Sequence, residues 1–162
     1  MVGATGGIGG AVAMLGGLDL VVCCVGGVAF GPLSDLDDAA MAAVFAANVF
    51  GPIRLARAAM PALAPGGVIA TISGVAADHP TAGMAAYSAT KTAITAFDRA
   101  LAGEVRRSGA RVLDVRPPCT ETGLAERPLA GVGPKLAPGS DPDGVAAAIL
   151  DALVRDADAV AC

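Results

Sequence analysis

The run Leu18-Asp19-Leu20-Val21-Val22-Cys23-Cys24-Val25 is short, apolar and rich in β-formers, and two more of its kind follow, Val68 to Ser73 and Arg111 to Val115. Longer segments with helical periodicity separate them. This alternation is the pattern of a parallel sheet, because parallel neighbours need a crossover and the crossover helix covers a sheet face. The expected fold is α/β, an open parallel sheet with helices on both faces. Ala159 to Cys162 offers a short edge strand. Asp35 to Leu63 reads as helix, with Ser34 as N-cap, acidic Asp37 at the third position, a stripe of Met41, Val44, Phe45 and Val49, and a kink at Gly51-Pro52. Ala82 to Arg107 is a second long helix ended by Gly109. Asp141-Pro142 opens a third, since aspartate caps and proline is tolerated in the first turn. Gly131 to Gly139, rich in Gly and Pro, reads as loop.

A chain of 162 residues, 54% hydrophobic and 16% charged, closes one compact core, so residues 1–162 are expected to form a single domain. The net charge of -4 supplies no basic stripe and argues against nucleic acid as a partner. The longest mostly apolar stretch, Leu20 to Phe30, carries Gly26 and Gly27 and falls short of the roughly 20 residues of a membrane span. The first basic residue is Arg54, so the start lacks the charged region of a secretory signal, and a cytoplasmic location is expected. Cys23, Cys24, Cys119 and Cys162 show no zinc or redox spacing and read as small buried hydrophobes. His79, the one histidine, reads as a loop residue without ligand partners.

Three features bear on chemistry. Gly3-Ala4-Thr5-Gly6-Gly7-Ile8-Gly9-Gly10 precedes a short helical stretch. Such glycines let a backbone approach a pyrophosphate at a helix N-terminus, although a plain glycine-rich turn explains the segment equally well. Tyr87 and Lys91 lie four apart on one helix. An ammonium beside a phenol favours the phenolate and brings a group of pKa near 10 toward use as an acid or base, the chemistry of carbonyl reduction or alcohol oxidation. A surface tyrosine packed along a lysine stem is the alternative. Asn48, the only asparagine, falls on an apolar stripe beside the expected kink. It either satisfies the carbonyl that the kink frees or holds a water leading to Lys91.

From Leu18 to about Gly131, extended by the glycine-rich start, the chain resembles the short-chain dehydrogenase/reductase superfamily. Val2-Gly3-Ala4-Thr5-Gly6-Gly7-Ile8-Gly9 corresponds to the family's T-G-x-x-x-G-x-G with valine for threonine, and Cys23-Cys24-Val25-Gly26 keeps only the glycine of its N-N-A-G strand end. Asn48 matches the helix asparagine, and Tyr87-Ser88-Ala89-Thr90-Lys91 matches the Y-x-(A/S)-(S/T)-K signature in full. Arg116-Pro117-Pro118-Cys119-Thr120-Glu121-Thr122 is similar to P-G-x-x-x-T, with Pro118 replacing glycine.

The resemblance implies a reduced Rossmann-like sheet and an NAD(P)-dependent oxidoreductase that interconverts a small alcohol and a carbonyl compound. In that reading Tyr87 is the general acid/base, Lys91 lowers its pKa and holds the ribose, Asn48 anchors a relay water and Ser73 polarises the carbonyl. NAD or NADP, without assignable preference, contacts Gly3, Gly7, Ile8, Gly9, Gly26, Tyr87, Lys91, Pro117 and Thr122, and the two long helices pair subunits into a homodimer or homotetramer. Two departures point to the alternative of an impaired member kept as an association scaffold. The family's serine lies thirteen residues before the tyrosine, where this chain has Gly74 and not Ser73. Between Leu15 and Leu18 only Gly16-Gly17 stands where the family places its second and third strands, so weak and unselective cofactor binding is expected. The substrate pocket is expected between Gly74 to Met84 and Glu121 to Gly139.

Overall fold

The computed structural model describes residues 17–135 and 137–161. The glycine-rich start, with Gly3, Gly7, Ile8 and Gly9, and residues 136 and 162 lie outside them. In chain order the elements are β1 (Leu18–Cys23), α1 (Asp38–Phe45), a π-helical turn (Ala46–Phe50), α2 (Gly51–Ala59), β2 (Leu63–Ile72), α3 (Ala85–Val105), β3 (Arg111–Arg116), α4 (Pro142–Val154) and β4 (Ala159–Ala161). The strands form one parallel sheet in the order β1-β2-β3-β4, as the alternation of short apolar runs and helices requires.

Side chains of successive strand residues point to opposite faces, and both faces are covered. On one, Val21, Cys23, Ile69 and Val112 pack under Leu55, Ala56 and Ala59 of α2 and Leu101 and Val105 of α3. On the other, Val68, Ala70, Leu113 and Val115 meet Ala152, Ile149 and Leu153 of α4. β2 starts five residues earlier than its apolar run, and Gly67 permits this: a Cβ there would stand 2.7 Å from the Leu18 carbonyl and 2.9 Å from that of Ala64.

The first long helix departs from its expected form. Asp37, not Ser34, caps it, accepting from the Ala40 amide at 2.7 Å, while the Ser34 hydroxyl turns to Asp35. Its break is a π turn rather than a proline kink: the Gly51 amide donates to Ala46, and Pro52 then starts α2, where it needs no donor of its own. Val44 and Val49 are buried as expected, but Met41 is exposed because α1 packs against α3 and not against the sheet. Asp141 precedes α4 without a side-chain cap bond. Contrary to the expectation that Leu20 to Phe30 is the longest apolar stretch, the 25-residue helical run Asp38–Ala62 is long and apolar enough to cross a membrane by composition. Here its Val44, Leu55, Ala56 and Ala59 are core residues. Cys23 is buried, whereas Cys24 and Cys119 are exposed thiols, which corrects their reading as buried hydrophobes.

Candidate active site

Parallel strands end together, and their carboxyl ends are where open α/β sheets hold ligands. Four segments meet at that edge: residues 24–31 after β1, the loop after β2, the start of α3, and the chain after β3. The first and last run side by side, with Leu129 donating to Val28 at 2.7 Å and Phe30 to Ala130 at 3.0 Å.

Asn48 joins them to the helices. The π turn directs its amide at the backbone of Gly27, where Oδ1 accepts from the amide N–H at 2.8 Å and Nδ2 donates to the carbonyl at 2.8 Å. Nδ2 also donates to Thr90 Oγ1 at 3.0 Å, and Thr90 Oγ1 in turn donates to the Tyr87 carbonyl at 2.6 Å. A buried amide is thus satisfied, and the chain after β1 is fixed against the turn of α3 that carries Tyr87 and Lys91.

Lys91 is buried, and its Nζ donates to the Ile72 carbonyl at the end of β2 at 2.8 Å. Burial brings its pKa down to about 8, against the opposing pull of Cys23 and the Asp114 carboxylate. The ammonium stands over the Tyr87 ring, 5.5 Å from its centroid. Burial pushes Tyr87 up to about 12, with the neighbouring Cys119 adding to the rise. The expected lowering of Tyr87 by Lys91 is therefore absent, because desolvation of the phenolate dominates. At neutral pH Tyr87 carries its proton.

Ser73 is fully buried, and its hydroxyl donates to Asp114 on β3. It lies one residue from Lys91's acceptor but faces inward. Gly74 follows at φ +80° and ψ 164°, a conformation open essentially to glycine alone. The Pro117 carbonyl accepts from Val75 at 3.0 Å and so closes the loop onto β3. Thr122 sits further out, exposed, its carbonyl held by Arg127 at 3.1 Å. Beyond Pro117, Cys119, Glu121, Ala125, Gly133 and Lys135 help line an open cavity of about 830 Å³. His79 is exposed in the turn after β2.

Sequence reasoning missed a buried polar group below this site. Asp114 accepts from Arg116 Nε at 2.8 Å, Arg116 reaches Asp78 at 3.1 Å, and Thr71 donates to Asp98 of α3. A carboxylate in the middle of an otherwise apolar strand was the available signal.

Asn48, Tyr87 and Lys91 thus come together at the carboxyl ends of the strands, with the ammonium over the ring and Thr90 linking the asparagine to the tyrosine backbone. Residues 4–131 match the family model of the short chain dehydrogenases. The chain belongs to that family. It is 38% identical over 104 residues to the Escherichia coli oxidoreductase YghA, covering 64% of this chain and 35% of that one. To an NAD-dependent oxidoreductase of Mycobacterium tuberculosis it is 34% identical over 118 residues, 71% of this chain and 43% of the other. Among solved structures, a short-chain dehydrogenase from Streptomyces avermitilis superposes with a TM-score of 0.81 at 30% identity, covering 95% of this chain and 64% of that chain. One from Burkholderia cenocepacia, solved with NADP, gives 0.83 at 25% identity, with 95% and 63% covered. The chain thus spans between a third and a half of the length of these curated relatives.

Proposed function

We propose that this chain is an NAD(P)-dependent oxidoreductase that interconverts a small, moderately apolar alcohol and the corresponding carbonyl compound. The observation that carries the reading is the half-buried Tyr87 with the Lys91 ammonium 5.5 Å from its ring, set at the carboxyl ends of β1 and β2. The described residues fit a dinucleotide's nicotinamide half. A Cβ at Gly26 would stand 3.2 Å from Asn48 Oδ1 and 3.9 Å from Lys91 Nζ, so glycine keeps the approach to the lysine open. Among the described residues Nζ donates only to Ile72, which leaves two of its three donors for ribose hydroxyls. The bound dinucleotide supplies or takes the hydride.

The chain's own residues handle the proton. Tyr87, protonated at neutral pH, donates to the carbonyl oxygen during reduction, and Lys91 holds the ribose while stabilising the charge left on the phenol. Asn48 keeps Gly26–Gly27 and α3 in register, which preserves the gap in which both ligands would meet Tyr87. Ser73 stays outside substrate contact in this reading. Its burial and the backbone of Gly74 favour a modest rate, and they support the second reading of an impaired member kept as an association scaffold. The exposed Met41 and Phe50 on the first helical run suit the subunit pairing of either reading, as homodimer or homotetramer. Light scattering tests that association, and a stable monomer at micromolar concentration counts against it.

Titration of NADH and NADPH, followed by nicotinamide fluorescence, tests the main reading. Weak binding of both with little preference is expected, together with loss of turnover in Tyr87→Phe. No binding of either at millimolar concentration favours the scaffold, and tight binding of one alone contradicts the expected lack of an adenosine-reading segment.

A further inference from the structure

Ser73, read from sequence as a substrate contact, has a different set of partners. Its amide donates to the Val115 carbonyl at 3.0 Å, and the Ile72 carbonyl of that same peptide unit accepts from Lys91 at 2.8 Å. One peptide plane therefore carries β3 on one side and the active-site ammonium on the other. The Ser73 side chain is tied to Asp114, and Asp114 to Arg116. Arg116 reaches on to Asp78 in the loop that leads to α3, at 3.1 Å.

We propose that Asp114 is a positioning residue for Lys91. Through Ser73 it fixes the peptide on which the ammonium sits, and its carboxylate, balanced by Arg116, sets the field in which the ammonium stays charged. This rests on the reading of Tyr87 and Lys91 as the working pair and adds the buried residues that hold the lysine in its state. The charged and titratable groups at Lys91 are Cys23 from β1, Asp114 from β3 and Tyr87 from its own helix. Behind them stand Arg116 and Asp78, paired in line with Asp114, and Asp98 of the same helix, which acts on Asp114 and Cys23. Asp114 acts on Lys91 directly, and Arg116, paired with Asp114, carries the opposite charge, so removing one or the other should move Lys91 in opposite directions. Side-chain packing alone has no such sign, and this separates a positioning role from a structural one.

The test needs neither substrate nor cofactor. The chain has two lysines, Lys91 and Lys135, so isotope-labelled lysine gives two side-chain signals, and Lys135→Arg assigns them. Asp114→Asn keeps an acceptor for Ser73 but removes the charge, and the Lys91 midpoint is expected to fall by about one pH unit. Arg116→Gln leaves the carboxylate less compensated, and the midpoint is expected to rise. Ser73→Ala is expected to speed hydrogen exchange at the amide of residue 73 by on the order of tenfold. Midpoints that stay in place or move in the same direction overturn the proposal, as does unchanged exchange in Ser73→Ala. Should Asp114→Asn fail to fold, Arg116→Gln decides alone, a rise supporting the proposal and a fall or no change overturning it. A wild-type chain without turnover counts against the oxidoreductase reading and leaves these titrations standing, whereas an active enzyme with an unmoved Lys91 removes Asp114 and keeps the pair.

Discussion

Tyr87 shows how far a local pairing is overruled by its surroundings. Helical spacing puts Lys91 beside it, yet the ammonium lies over the ring face and the phenolate is penalised by burial. Because the chain has one tyrosine and no tryptophan, tyrosinate absorbance reports this residue alone, and its midpoint is expected at about 12 in the free protein. A midpoint near the ordinary 10 would place the ring in solvent. In the proposed oxidoreductase the sign carries into kinetics: steady-state rates are expected to hold up at neutral pH for carbonyl reduction, which would use the protonated phenol, and to rise with pH for alcohol oxidation, which would need the phenolate. Gly74 gives a second test at this scale. A serine there would restore the family's spacing and has room, the nearest contact of a Cβ being 3.6 Å from the Pro117 carbonyl. The backbone forbids it: at φ +80° a side chain costs about 1–3 kcal/mol, so Gly74→Ser is expected to lower the melting temperature without raising turnover. A faster and equally stable variant would show that the loop relaxes.

The first helical run owes its tie to the chain after β1 to an irregularity. The π turn at Ala46–Phe50 gives the helix one extra residue per turn, and this turns Asn48 onto the backbone of Gly27. Asn48→Ala leaves the Gly27 amide and carbonyl without their partner, at about 1–3 kcal/mol for each orphaned group. Thermal unfolding should shift down accordingly, and hydrogen exchange at Gly27 should lose its protection. If exchange at Gly27 stays slow in the variant, another group satisfies that amide and Asn48 is not what holds the crossover. Capping follows the same local logic. Three acids, Asp35, Asp37 and Asp38, crowd the start of this run, and the fold selects Asp37 because its extended backbone lets the carboxylate reach the Ala40 amide.

Across the whole molecule the sheet and α3 enclose a buried carboxyl with a measurable consequence. Asp98 is 3% exposed, accepts from Thr71, and has its other oxygen without a partner among the described residues. Burial raises it from 3.8 to about 7, so between those values the folded state binds more protons than the unfolded one. Its contribution to stability is fully present below the unfolded value and is lost as pH rises to about 7, on the order of a few kcal/mol in total. Asp98→Asn keeps an acceptor for Thr71 and removes the ionisation. The variant is expected to melt higher than the wild type above pH 7, with the gap closing toward pH 4. A constant difference across that range would mean that Asp98 does not titrate in the folded chain.

The sequence alone determined the class and order of elements, because periodicity and the turn residues that bound each run are local properties. Three strand runs, the helices between them, a loop over Gly131 to Gly139 and the Tyr87–Lys91 spacing were all legible there. The motif order also led to the family, and the mismatch at Gly74 was visible by counting. Burial, electrostatics and hydrogen-bond partners were decided by the tertiary structure. Ser73, Asp114 and Arg116 become one connected group only when β2 and β3 pair in register, with Ile72 opposite Val115. Whether Lys91 lowers the pKa of Tyr87 depends on how much water each loses, and whether a break in a helix is a proline kink or a π turn depends on what the turned side chain finds to bond. Those are energies of contact between segments far apart in the chain, and no window of sequence contains them.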